Sequence, residues 1–304
     1  MRVAAHFGGF DELMVPLLAS AAPDVELVAA GTPGADVLVT LLHDRPDAAA
    51  MLDGVRWVHV LGAGVDGFPM DVVGDRLLTC SRGASAPAIA EFVLAAMLAF
   101  EKQVPEVWIR EPPARWNVAA LGGLRGRTVG IVGLGAIGTE VARRALAFDM
   151  QVLGLRRRAD AGSPVEGVEV VTSLPDLLAR SHHVVVAAAA TEATRHLLDR
   201  DAFASMTPGA HLVNVARGSL VDQDALLRAL DEGRVARASL DVVEPEPLPA
   251  GHQLYAHPNV RLTPHVSWSS PDTTRRTVEL FAENLRRWRA GESLHGLVDV
   301  GAGY

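Results

Sequence analysis

Thr128-Val-Gly-Ile-Val-Gly-Leu-Gly-Ala-Ile-Gly138 decides how this chain folds. Thr128–Val132 is a run of strand-forming residues. Gly133, Gly135 and Gly138 follow at once, and Glu140-Val-Ala-Arg-Arg-Ala-Leu-Ala-Phe148 continues with helical spacing. A strand, a glycine turn and a helix in this order form the dinucleotide-binding fingerprint. Gly133 permits the tight turn, Gly135 lets backbone approach a pyrophosphate, and Gly138 allows close helix–strand contact. The backbone N–H groups of Ala136 and Ile137 open the helix and face the anion with its dipole behind them.

Outward from this turn the chain alternates strands and helices. Strands are expected at Val37–Leu42, Trp57–Leu61, Gln151–Leu155, His183–Ala188, His211–Val215, Ala238–Asp241 and Val260–Leu262. Helices are expected at Asp11–Ala22, Pro46–Leu52, Pro87–Arg110 and Pro271–Arg289, with Pro112-Pro113 ending the third. The last carries Val278, Phe281 and Leu285 on one face, which suits packing on the first domain. Alternation of this kind argues for parallel sheets covered by helices. The 304 residues suit two domains, and nearly half are apolar, so sizeable cores can be buried.

A net charge of −8 without a long basic run argues against nucleic-acid binding. Cys80 is the only cysteine, so no intrachain disulfide can form. The N-terminus lacks an apolar signal-peptide core. Ile89–Phe100 contains Glu91 and is too short to span a bilayer. These features lead us to expect a cytoplasmic protein with no membrane partner. The histidines, including His182-His183, show no metal-ligand spacing. Neither Ser85 nor Cys80 lies in a nucleophile elbow.

Three later segments carry chemistry: Val213-Asn-Val-Ala-Arg-Gly-Ser-Leu-Val-Asp222, Ser239-Leu-Asp-Val-Val-Glu-Pro-Glu-Pro-Leu-Pro249 and Asn259-Val-Arg-Leu-Thr-Pro-His265. Together with the glycine turn, and in this order, they resemble the D-isomer-specific 2-hydroxyacid dehydrogenases from about Leu61 to Trp288. The resemblance implies two doubly wound parallel-sheet α/β domains. A Rossmann cofactor domain (87–267) would be inserted into a flavodoxin-like substrate domain (1–86 plus 268–304). It implies hydride transfer between nicotinamide C4 and C2 of a small 2-keto or 2-hydroxy acid, of the glyoxylate or hydroxypyruvate kind.

It also implies a triad of Arg217, Glu246 and His265. A guanidinium at Arg217 suits a substrate carboxylate and its neighbouring carbonyl. An imidazole at His265 suits proton transfer to and from the C2 oxygen. Glu246 would orient His265 and favour its protonated form; on sequence alone, Glu244 is a rival. By resemblance, Ala216 and Asp241 contact the nicotinamide. Ala63, Gly64 and Val65 would form a substrate-carboxylate loop, with Asp66 a turn residue. A homodimer is implied too, consistent with an apolar Pro87–Arg110 helix that one domain would not cover.

The second cofactor strand ends in Arg156-Arg157-Arg158, where an NAD enzyme would place a carboxylate. Arg156 and Arg157 suit a 2′-phosphate, so NADP(H) is the expected preference, with NAD(H) the alternative. Two departures from the family pattern stand out. Ala187-Ala-Ala-Ala-Thr191 lacks the family's proline, and Trp268 occupies a position of small residues, where it lines the substrate pocket or packs between domains. A phosphite-type dehydrogenase and a weakly catalytic NAD(P)-sensing protein, like the C-terminal-binding-protein corepressors, share the triad and stand as alternatives.

Overall fold

The computed structural model describes residues 1–41, 48–156 and 162–303. The chain divides into two compact units, Met1–Ser85 with Ser269–Tyr304, and Ala86–Trp268. Among the described residues, no helix is long and apolar enough to cross a membrane.

The first unit contains β1 (Arg2–His6), α1 (Asp11–Ala21), β2 (Glu26–Ala29), β3 (Val37–Thr40), α2 (Ala48–Met51), β4 (Trp57–Val60) and β5 (Leu77–Cys80). Its sheet runs β2-β1-β3-β4-β5, all parallel, which is the flavodoxin-like order. Strands β3 and β4 are buried along their whole length, with Thr40 and His59 the polar residues among apolar ones. The last helix of the chain, spanning Pro271–Ala290, belongs to this unit. Its residues Val278, Phe281 and Leu285 share a core with Val3, Phe7 and Trp57. Ser270 caps its start by accepting from Thr273 N–H, and Gly291 ends it at φ 69°.

The second unit begins with α3 (Ala86–Glu101), which stops nine residues before the Arg110 end expected from the sequence. Pro105 and the left-handed Gln103 (φ 51°) intervene, and the chain returns as Gly122 N–H donates to the carbonyl of Glu101. Then follow β6 (Thr128–Val132), α4 (Ala136–Ala147), β7 (Gln151–Leu155), β8 (Val168–Val171), α5 (Leu174–Arg180), β9 (His183–Val186), α6 (Arg200–Ser205), β10 (Ala210–Asn214), α7 (Gln223–Asp231), β11 (Val235–Leu240), α8 (Gln253–Ala256) and β12 (Val260–Leu262). The final helix of the first unit is therefore α9. The seven-stranded sheet runs β12-β11-β10-β9-β6-β7-β8, all parallel. Strand order reverses between β6 and β9, which is where open α/β sheets bind ligands.

Register aligns the ends of six strands. Val132 pairs with both Leu155 and Val186, Val186 with Asn214, Asn214 with Leu240, and Leu240 with Leu262. Residues just past these ends therefore form one row along the carboxyl edge of the sheet. In spatial order the row runs Arg156, Gly133, Ala187, Val215, Asp241 and Thr263. At about 4.8 Å per strand, five intervals span roughly 24 Å, the scale of an extended dinucleotide with a small substrate at one end.

Candidate active site

The glycine turn lies at the switch point. Gly133 has φ 105°, and a Cβ there would approach the backbone of Ala188, past β9, to 2.7 Å. A Cβ on Gly138 would overlap the carbonyl oxygen of Gly133. Gly135 is different, because a Cβ there would meet nothing within 4 Å. The space beside it is open, and Gly135 also stands at the N-cap of α4 with no side-chain cap on that helix start. The N–H groups of Ala136 and Ile137 open into this turn, so the cradle suits a pyrophosphate.

Arg156 follows β7 at the other end of the row from Thr263 and donates from Nη1 to the carbonyl of Gly162 at 2.5 Å. No carboxylate immediately follows that strand. Arg157 lies outside the described residues.

The Arg217 turn is built by Asn214, a residue passed over in the sequence. Buried at the end of β10, Asn214 accepts from Ala216 N–H at 3.1 Å and donates to the carbonyl of Arg217 at 2.9 Å. An asparagine at a strand end can make such local backbone bonds, so the signal was present in Asn214-Val-Ala-Arg-Gly218. Arg217 is extended (φ −148°) and donates from Nη1 to the Ala216 carbonyl at 2.6 Å. The next residue must be small, because a Cβ on Gly218 would overlap the backbone of Val243. This close approach seats the Arg217 turn on the loop after β11. Gly218→Ala is therefore expected to force the two loops apart and lower kcat/KM by roughly tenfold or more. A variant with unchanged kcat/KM would refute that coupling.

His265 and Glu246 come together although 19 positions separate them. His265 Nδ1–H donates to Glu246 Oε2 at 2.9 Å. A carboxylate only accepts, so this bond fixes the tautomer. Nδ1 therefore carries the hydrogen, and Nε2 can accept when the ring is neutral and donate when it is protonated. The other oxygen, Glu246 Oε1, accepts from Val243 N–H at 3.1 Å. Glu244 does not compete for His265. Its carboxylate is turned to Arg195, with bonds of 3.1 and 3.0 Å from the two guanidinium nitrogens.

His265 sits in the left-handed region (φ 54°), an unfavourable conformation for a residue with a Cβ. Asp241 holds it there. The Asp241 carbonyl accepts from His265 N–H at 2.9 Å. Its carboxylate accepts from Thr263 Oγ1 at 2.7 Å and from the N–H groups of Val266 and Ser267, both at 2.9 Å. Only 1% of Asp241 is exposed. The resemblance pointed to Asp241 as a nicotinamide contact; the structure gives its carboxylate to the loop that carries His265. Trp268 is 46% exposed, and its indole N–H donates to the His265 carbonyl at 2.8 Å.

The row thus runs from an anion cradle at β6 to a paired imidazole and carboxylate beyond β11 and β12. Comparison with known proteins identifies the family. The sequence model described as "D-isomer specific 2-hydroxyacid dehydrogenase, NAD binding domain" matches residues 94–267. The chain belongs to the D-isomer-specific 2-hydroxyacid dehydrogenase family. A glyoxylate reductase of Thermofilum pendens is 34% identical over 276 residues, covering 87% of this chain and 81% of that protein. A D-isomer-specific 2-hydroxyacid dehydrogenase from Xanthobacter autotrophicus Py2, solved with NADPH and MES, superposes with a TM-score of 0.88 at 30% identity. That superposition covers 100% of this chain and 99% of the other. An NADPH-dependent glyoxylate/hydroxypyruvate reductase from Sinorhizobium meliloti, solved with NADP and sulfate, gives 0.87 at 27% identity over 100% and 99% of the two chains. Within this dehydrogenase family, the present member is an NAD(P)-dependent oxidoreductase of 2-hydroxy acids.

Proposed function

We propose that this chain is a reductase of small 2-keto acids that prefers NADP(H), with His265 as acid–base, Glu246 orienting it, and Arg217 binding the substrate's carboxylate and carbonyl. The observation that carries the proposal is the 2.9 Å His265–Glu246 bond at the carboxyl edge. When bound, the nicotinamide supplies the hydride for reduction of C2 and accepts it in oxidation. In reduction, protonated His265 gives the proton on Nε2 to the C2 oxygen. In oxidation, neutral Nε2 removes the hydroxyl proton. Glu246 holds the ring by Nδ1 and opposes the imidazolium charge with its own. Arg217 directs positive charge to the carboxylate and to the oxygen on which negative charge develops.

Further assignments follow from the same reading. Gly133, Gly135, Ala136, Ile137 and Gly138 hold the pyrophosphate. Ala216 offers backbone to the nicotinamide, and Asp241 supports that end of the site through the His265 loop. The backbone of Ala63, Gly64 and Val65, just beyond β4, is assigned to substrate binding. Trp268, tethered to the His265 carbonyl, limits the size of the substrate side chain. Glyoxylate and hydroxypyruvate, named for the relatives, are the substrates of choice here.

The NADP(H) preference is supported by Arg156 after β7 and by the NADPH and NADP in the two solved relatives. Steady-state kinetics on glyoxylate, hydroxypyruvate and pyruvate with each coenzyme test both claims. The expected result is a higher kcat/KM with NADPH, reduced selectively by Arg156→Ala. A clear NADH preference would overturn the coenzyme assignment, and NADPH binding without turnover would favour the sensing alternative.

We also propose a cytoplasmic homodimer. Helix α3 buries Ile89, Val93, Leu94 and Met97 within its own unit, so it supplies less uncovered surface than its composition suggested. The surplus lies in the following segment, where Trp108, Ile109, Trp116 and Val118 are each more than half exposed. Light scattering at micromolar concentration should give twice the chain mass; a monomer would oppose the assignment.

A further inference from the structure

The loop that presents Glu246 cannot be secured like ordinary backbone. Pro245, Pro247 and Pro249 supply no N–H, so Val243–Pro249 has few backbone donors with which to bind a neighbour. Yet Glu246 must hold His265 to within a hydrogen bond. The stretch is tied instead through Glu244, from three directions. Glu244 N–H donates to Gln223 Oε1 at 3.1 Å, and Gln223 Nε2 donates to the Glu244 carbonyl at 2.6 Å. One side-chain amide thereby satisfies both backbone groups of one residue. Arg195 grips the Glu244 carboxylate in a bidentate pair.

Each partner comes from a different loop at the carboxyl edge. Arg195 follows the 3-10 turn Glu192–Thr194, beyond β9. Gln223 is the first residue of α7, immediately after the Asp222 N-cap and close to the Arg217 turn. Glu244 lies beyond β11. The loops after β9, β10 and β11 therefore meet at one glutamate, two positions from Glu246. Val243 N–H, next to this tie, donates to the Glu246 carboxylate itself.

We infer that Glu244, clamped by Arg195 and Gln223, is a positioning residue that aims Glu246 at His265 and locks that pair to the Arg217 turn. This inference rests on the proposed acid–base role of His265. Glu244 touches no reacting atom. Its carboxylate is saturated by Arg195, which is why the nearer sequence rival of Glu246 serves as an anchor.

Charge reversal tests the clamp: Glu244→Arg, Arg195→Glu and the double reversal. Arg195 and Glu244 are about half-exposed, so all three variants should fold, and melting temperatures check this. Each single reversal is expected to lower kcat on glyoxylate by roughly five- to tenfold, with the KM for NADPH nearly unchanged. The double reversal should recover most of the loss. A second readout needs no turnover. In protein labelled with 15N at histidine, the His265 Nδ1 proton, identified by its loss in His265→Asn, should give a downfield resonance. That resonance should broaden in each single reversal and sharpen again in the double. Single reversals that leave the resonance and kcat unchanged would overturn the inference, and so would a double reversal that rescues neither. If the unaltered protein reduced no 2-keto acid, the proposed function would fail, while the resonance would still decide the clamp.

Discussion

His265→Ala is expected to lower kcat for reduction of glyoxylate by about 10²–10⁴-fold, the usual contribution of a proton donor in the transition state. Coenzyme binding should be spared, because the glycine cradle lies at β6, three strands from β11 in the sheet order. Glu246→Gln should show a smaller loss. An amide oxygen can still accept from Nδ1, so orientation partly survives, but the carboxylate charge beside the ring is removed. The two losses should not add, since both substitutions act on one proton-transfer unit. Single-turnover kinetics with saturating NADPH would separate this from an effect on product release. Near-normal turnover of His265→Ala would reject the assignment and direct attention away from the carboxyl edge of β12.

A second large effect is expected in acid, from a histidine remote from this chemistry. His59 on β4 is completely buried, with Nδ1 2.7 Å from Thr79 Oγ1 and Nε2 3.1 Å from Ser81 Oγ. Burial disfavours its charged form and pushes its pKa down to about 3 from 6.5. Above pH 6.5 the ring is neutral folded or unfolded, and its contribution to stability is complete. As pH falls from 6.5 toward 3, the unfolded chain binds a proton that the folded chain refuses. Folding then loses up to roughly 5 kcal/mol, about 2 kcal/mol of it between pH 6.5 and 5.

Two other groups act in the same direction. His211 is buried and also pushed well below its ordinary value. Glu101 is held below the usual carboxylate range chiefly by its hydrogen bond from His183. Urea unfolding at a series of pH values should show stability falling as pH drops below 6.5. His59→Gln, which keeps a polar group but cannot titrate, should show a shallower slope. Equal slopes in the two proteins would refute the burial argument.

Local order along the chain was legible wherever one strand, one turn and one helix specify each other. The β6 boundaries expected from Thr128–Val132 agree with those observed, because a short, largely apolar run reads as a buried strand and a glycine turn marks its end. The strands β7 and β12 agree for the same reason. Strand β2, only four residues long and partly exposed, carried too weak a pattern to read. Helix α3 ends before the Arg110 expected from Pro112-Pro113, because its apolar run stops at Phe100 and Pro105 follows close behind.

The residue types of the site were likewise readable from sequence, since a guanidinium, an imidazole and a carboxylate follow from the chemistry of a 2-keto acid and from the family pattern. Their arrangement was not. Glu246 faces His265 while Glu244 is bound by Arg195 and Gln223, and these partners come from loops distant in the chain. The holding of His265 in a left-handed conformation by Asp241 depends on β11 and β12 lying side by side. By itself, then, the sequence determined the chemistry available and the dinucleotide turn, which rest on contacts between near neighbours. Tertiary structure decided which carboxylate serves the histidine, because parallel strands bring their carboxyl ends together only when the sheet is assembled.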